Sequence, residues 1–214
     1  MTASATYTWI DIGTSSFSTL FRAVAKPGSA VMLIGVEPLL EAYAACDDYV
    51  ERHKWRSAVK MVHAACSAGV ANSVTFYQHE DPQCSSLLRD MPLAGRHALH
   101  HGKLPQNRSS GANFTRCIGG HERAILVPRL SLKEILLKYA PAAPARIELL
   151  KLDTQGSELA CLLSAGEQIE RIDNLFIEVQ DVPEAELLYR SAHTFGQVSK
   201  APPPPPPQPT PTTP

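Results

Sequence analysis

The sequence predicts an α/β protein built on a mostly parallel sheet with helices on both faces. Short apolar runs alternate with amphipathic stretches along most of the chain, as strands buried on both faces and their crossover helices do. The first run stops at an acid and a glycine in "WIDIGTSSF", and a helical pattern follows at once. In an open parallel sheet, strand-to-helix corners of this kind lie where ligands bind.

Strands are expected at 8–13, 30–36, 60–66, 147–153 and 174–180, each a short apolar run. Between them, Phe17, Leu20, Phe21 and Val24 recur at helical spacing, and Leu39, Tyr43, Cys46 and Val50 form a comparable stripe. Ser131 and Glu134 make a capping box ahead of Leu132, Ile135, Leu136 and Tyr139. An additional strand is expected at 74–78. From 79 to 122 the chain turns polar, with glycine, proline and little periodicity; an insertion of that length is expected to be a functional lid or disordered. The expected organisation is one domain over 1–200 carrying the 79–122 insertion. The tail 201–214, "APPPPPPQPTPTTP", must be polyproline II or disordered, as a spacer or as a ligand for a proline-binding module.

With 214 residues, 44% of them hydrophobic, the chain can bury one substantial core. A formal net charge of −1 offers no basic excess for a nucleic-acid backbone or an anionic membrane, so neither is an expected partner. Five cysteines, widely spaced and without a CxxC, suggest reduced thiols, with Cys66 and Cys161 as small core residues. No apolar stretch approaches a membrane span, and Met1 opens no basic-then-apolar leader, so the expected location is cytoplasmic. Sequons at Asn107 and Asn113 are short patterns that arise by chance; they would point to the secretory pathway if the N-terminus lay upstream. His97, His100, His101 and His121, with Cys84 and Cys117, match no standard zinc spacing, so no metal is expected.

The chemistry concentrates at strand ends. The first corner has Gly13 but none of the further glycines of a dinucleotide fingerprint, with Ser15 and Ser16 occupying the rest of the turn. This argues against a pyrophosphate cradle and a nicotinamide oxidoreductase. Asp11 is awkward beside phosphate but suits a cationic or amine-bearing ligand. Glu37 ends the second strand 24 residues after Gly13, where a carboxylate can accept ribose hydroxyls. An amine-tolerant corner with a ribose-binding acid points to S-adenosylmethionine rather than NAD.

At this point the chain resembles the FkbM-type, S-adenosylmethionine-dependent methyltransferases. The resemblance rests on "WIDIGTSSFSTL", "GVEPLLEAY", "MVHAACSA", "VTFYQ", "CSSLL", "VPRLSLKEIL", "IELLKLDTQGSEL" and "NLFIEVQD", in the family's order. In the most specific stretch Lys151, Asp153, Gly156 and Glu158 match, while Gln155 replaces the usual acid. The resemblance implies a Rossmann-like three-layer α/β/α sandwich, here without the C-terminal strand pair. It implies that Asp11 and Gly13 face the methionine part, Glu37 the ribose, and the backbone around Ala64 and Ala65 the adenine, with Thr14 and Ser15 also among the cofactor-binding residues. Methylation of a hydroxyl on a small molecule or glycan would need alignment and a base; Asp153 is the first candidate and Glu178 the second. Ser85 and Ser86 would line the pocket, and Lys151, on Asp153's strand face, would neutralise that acid. The alternative is an inactive methyltransferase-like remnant acting as an interaction module, self-associating through an exposed sheet edge.

Overall fold

The computed structural model describes residues 7–15, 18–24, 29–79, 85–88, 122–143 and 145–178. The expectations on Phe17, Cys84, Cys117, the histidines from 97 to 121, the two sequons, the C-terminal strand pair and the proline tail lie outside these residues.

Five parallel strands form the main sheet, in the order β3-β2-β1-β7-β8. They are β1 (Tyr7–Ile12), β2 (Val31–Glu37), β3 (Val59–His63), β7 (Leu149–Leu152) and β8 (Leu175–Ile177). β1 stands at the centre, with Ile12 level with Val36 on one side and Leu152 on the other. Chain order runs outward in both directions from it, so a crevice opens at the carboxyl ends of β1 and β7, where α/β sheets hold their ligands.

Two kinds of apolar face explain the layers. Ile10, Ile12, Ile34, Val36, Leu150 and Leu152 pack with Leu132, Ile135 and Leu136 of α3 (Leu132–Tyr139) and Cys161 of α4 (Glu158–Leu163). Leu33 and Val59 turn to the opposite face and meet Phe21 and Val24 of α1 (Thr19–Val24) and Cys46 and Val50 of α2 (Leu40–Arg52). Alternate residues of each strand therefore reach separate cores, giving the expected α/β/α layering.

Four expectations are corrected, three of them on strands. The run 60–66 is not one strand: β3 ends at His63, and Ala65–Cys66 leaves the main sheet as β4. β4 joins a second, three-stranded sheet of order β4-β6-β5, made with β5 (Ser73–His79) and β6 (Glu122–Leu130). β6 was not expected. Its apolar "AILV" conceals a period of two, in which Val127 and Arg129 are buried while Leu126 and Pro128 face out. Proline also weakens a strand signal, but Pro128 pairs at the very start of β5, opposite Ser73. Finally, the 79–122 segment is not irregular at its limits. His79 pairs with Glu122 at the end of the antiparallel β5–β6 ladder, so both limits of the segment belong to one strand hairpin. One described piece, residues 85–88, lies back on that hairpin through paired backbone bonds between Ser86 and Tyr77.

Cys66 and Cys161, expected as unpaired core thiols, are bonded to each other as a disulfide and buried within the larger core. Their separation of 95 residues leaves no local spacing that could announce the pair. No described helix is long and apolar enough to cross a membrane.

Candidate functional site

The site begins at the corner after β1. Gly13 adopts φ +80°, a region costly to side-chain-bearing residues. A Cβ there would stand 1.9 Å from the carbonyl oxygen of Asp153, so close passage of the β7 end excludes any larger residue. The backbone N–H groups of Gly13 and Thr14 both donate to the Val36 carbonyl, at 3.0 and 3.1 Å. This directs the turn across the end of β2. Ser15 then donates its N–H to Glu37 Oε2 at 2.7 Å, and Leu39 donates its own to Oε1 at 2.9 Å. Glu37 is thereby fixed at the end of β2. Burial raises its carboxyl to a pKa of about 7, although both backbone donors favour the charged form.

A second group of charges sits where β1 and β7 end side by side. Asp11 and Lys151 are register partners. The Lys151 ammonium lies 3.2 Å from Asp11 Oδ1 and 3.1 Å from Asp153 Oδ2. Burial opposes the Lys151 charge, but the two carboxylates outweigh it and hold the ammonium above its ordinary pKa. Asp11 is fully buried and accepts a further hydrogen bond from the Ser18 hydroxyl. Desolvation nevertheless raises its pKa, with Lys151 and Ser18 resisting.

Asp153 has both oxygens engaged, because the Gln155 side-chain amide donates to Oδ1 at 3.0 Å while Lys151 holds Oδ2. Glu178, just beyond β8, completes the group. Partial burial and then the Asp153 charge hold its carboxyl above the usual range. The loop between β7 and α4 is set by Glu158, whose carboxylate accepts from the N–H groups of Thr154 at 2.9 Å and Gly156 at 3.0 Å. Gln155 takes φ +56° in this turn, and its carbonyl receives the Ser86 hydroxyl at 2.7 Å. The foot of the hairpin insertion is thus bonded to the loop bearing Asp153.

These elements enclose a cavity of about 760 Å³, ample for a cofactor-sized ligand. Gly13, Thr14, Ser15, Glu37, Ala64, Ala65, Asp153 and Glu178 all border it. Of the nine residues expected to bind the cofactor or act on the acceptor, the structure brings these eight together; of the two serines expected to line the pocket, Ser85 borders it, whereas Ser86 bonds to the Gln155 carbonyl instead. Among the nine, Asp11 is the exception: it lies beneath the corner and reaches the wall through Lys151 and Ser18. Sequence reasoning did not single out Ser18, Leu39, Phe76 or Leu87, nor the clamping role of Glu158. Apolar side chains carry no chemical signal, and Ser18 needed the helix start to be located first. Among the described residues no His, Cys, Asp and Glu group is arranged to hold a metal.

The family profile described as Methyltransferase FkbM domain matches residues 10–198. No curated protein matches the chain. Among solved structures, it is similar to the crystal structure of methyltransferase FkbM from Methylobacillus flagellatus KT, at 14% identity and a TM-score of 0.39. That similarity covers 74% of this chain, which spans 28% of the length of the other. The profile runs from β1 through every strand end that borders the cavity, and the chain belongs to the FkbM methyltransferase family.

Proposed function

We propose that the protein is an S-adenosylmethionine-dependent methyltransferase acting on a hydroxyl of a small molecule or glycan. The observation that carries this reading is the single cavity joining Glu37 to Asp153 and Glu178 across the Gly13 corner.

The chemistry of the wall fits that cofactor. At one end Leu39, Ala42, Ala65 and Phe76 form an apolar lining suited to a purine. Ala64 and Ala65 are too small to fill the space beside it. Next comes Glu37, whose oxygens keep acceptor capacity for ribose hydroxyls after their backbone bonds. At the far end stand Asp153 and Glu178, with Asp11 behind Lys151. Acids outnumber bases along this wall even with Arg22 at its border, an electrostatic setting for a cation rather than a pyrophosphate. Bound there, S-adenosylmethionine would supply a methyl group carried on a sulfonium.

The chain's own task is to align an acceptor and take its proton. Asp153, held by Lys151 and Gln155, is suited to orienting the hydroxyl. Glu178 is the better base, because its raised pKa lies nearer neutrality than that of an ordinary carboxylate.

Titration calorimetry with S-adenosylmethionine and S-adenosylhomocysteine tests the reading. Micromolar binding is expected, weakened at least tenfold in Glu37→Ala. Absence of binding by the folded wild type would overturn it in favour of a fold retained without activity.

A further inference from the structure

We propose that the Cys66–Cys161 disulfide is a redox-controlled clasp that sets the spacing of the two walls of the cavity. Cys66 stands in one wall, and Cys161 lies behind the other. Cys66 itself borders the cavity, directly after Ala64 and Ala65. Ala64 donates its N–H to the Glu37 carbonyl at 3.2 Å, so this wall includes the residue placed on the ribose. Cys161 lies one turn into α4 and donates its N–H to the Ser157 carbonyl at 3.0 Å. The same helix begins at Glu158, whose carboxylate holds Thr154 and Gly156 and with them the loop of Asp153 and Gln155. The bond therefore joins the Glu37 side covalently to the Asp153 side, across 95 residues of chain.

Apart from packing in the shared core, the noncovalent ties between these two positions are indirect. β4 has two residues and is paired only with β6, outside the main sheet. Without the bond, the short Ala65–Cys66 segment is held to the α4 side by packing and by a route through its neighbours: Cys66 pairs with Leu130 of β6, and the Leu132 N–H donates to Ser164 Oγ at 2.8 Å, at the end of α4. Both cysteines are buried, and the face that Cys66 presents to open space is the cavity. Reductant and ligand therefore approach from the same side. A ligand seated beside Ala65 shields the bond from reductant; a ligand that fits the bonded spacing of the walls binds that form more tightly, and by linkage favours it over the reduced form.

The chemistry is ordinary exchange. A thiolate of one cysteine attacks a low-molecular-weight disulfide, giving a mixed disulfide and one released thiol. The second cysteine then displaces the remaining thiol. Two protein thiols are oxidised, one external disulfide is reduced to two thiols, and the two protein protons end on those thiols.

The test compares full-length protein oxidised by glutathione disulfide with the same protein reduced by a phosphine, alongside Cys161→Ala. Differential alkylation and mass spectrometry establish the bonding state. Hydrogen–deuterium exchange is read over residues 61–67 and 153–163, with 40–52 as the reference. Expected are a Cys66–Cys161 bond in the oxidised protein, exchange at least fivefold faster in both walls when it is open, and an unchanged reference helix. Affinity for S-adenosylhomocysteine should fall at least fivefold on reduction; this arm rests on the proposed function. Failure of both redox forms to bind that ligand counts against the proposed function, and wall exchange alone then decides the clasp. Thiols that stay free after oxidation, or equal wall exchange in the two forms, would overturn it. So would a bond that the phosphine cannot open in the native state, combined with a Cys161→Ala variant that does not fold, since the bond would then be a permanent staple.

Discussion

Glu37 shows how one side chain can serve the site at a cost to the empty protein. Its carboxyl is buried at the end of β2, and desolvation outweighs two backbone donors, so that its pKa is about 7 folded against an ordinary 4.5. A raised folded value means that the native state binds the extra proton. The associated stability is fully present below about pH 4.5 and is lost as pH rises through about 7. At 1.36 kcal/mol per unit, the loss is on the order of 3 kcal/mol. Glu37→Gln keeps the shape but cannot ionise. Urea unfolding from pH 5 to pH 8 should show the wild type losing 1–3 kcal/mol more, by this order-of-magnitude argument, than the variant. Gln also gives up one carboxylate oxygen to a buried N–H, which shifts its stability equally at every pH and leaves the slope as the readout. Equal slopes would place the titration elsewhere. The position of Glu37 was legible in the sequence because an acid ending the second strand has a fixed relation to the first corner. Its bonds to Ser15 and Leu39 were not, since they depend on how the turn after Gly13 crosses β2.

At the scale of elements, legibility followed the range of the forces involved. The start of α3 was readable because a capping box is local: Ser131 Oγ accepts from the Glu134 N–H at 3.1 Å, and Glu134 Oε2 accepts from the Ser131 N–H at 2.7 Å. Ser131→Ala should therefore cost about 1 kcal/mol, measurable as a shift in the urea midpoint with an unchanged slope. A change below a few tenths would mean that packing of Leu132, Ile135 and Leu136 fixes the helix start unaided. β6 was missed because its partner is β5, with more than forty residues between their paired ends at His79 and Glu122. The split of 60–66 was hidden for a similar reason. Ala65 and Cys66 are as apolar as the strand before them, and only the register with Arg129 and Leu130 assigns them to a second sheet. The disulfide is the extreme case: neither cysteine has a neighbour in sequence that points to the other.

At the scale of the whole molecule, the site is a property of strand order. Gly13, Glu37, Ala64, Asp153 and Glu178 are scattered from the start of the described chain to its end, and the β3-β2-β1-β7-β8 order brings their strand ends to one crevice. The pattern of apolar runs was enough to place each acid at a strand end. It set Lys151 against Asp153, as found, but could not show that the same ammonium also holds Asp11, which stands behind the wall rather than on it. The charge balance that results gives a prediction for the intact protein. A ligand that binds only the folded state at a hundredfold excess over its Kd stabilises by about 2.7 kcal/mol. For a domain of this size that is a rise in Tm of about 5–10 °C. S-adenosylhomocysteine should produce such a rise in a thermal melt, and Glu37→Ala should abolish most of it. NAD at the same concentration should shift the midpoint by less than about 1 °C, because its pyrophosphate would meet Glu37 and Asp153 at a corner without a glycine-rich cradle. Equal shifts by the two ligands would mean that the cavity recognises an adenosine alone and that the acids beyond Gly13 take no part in choosing the cofactor.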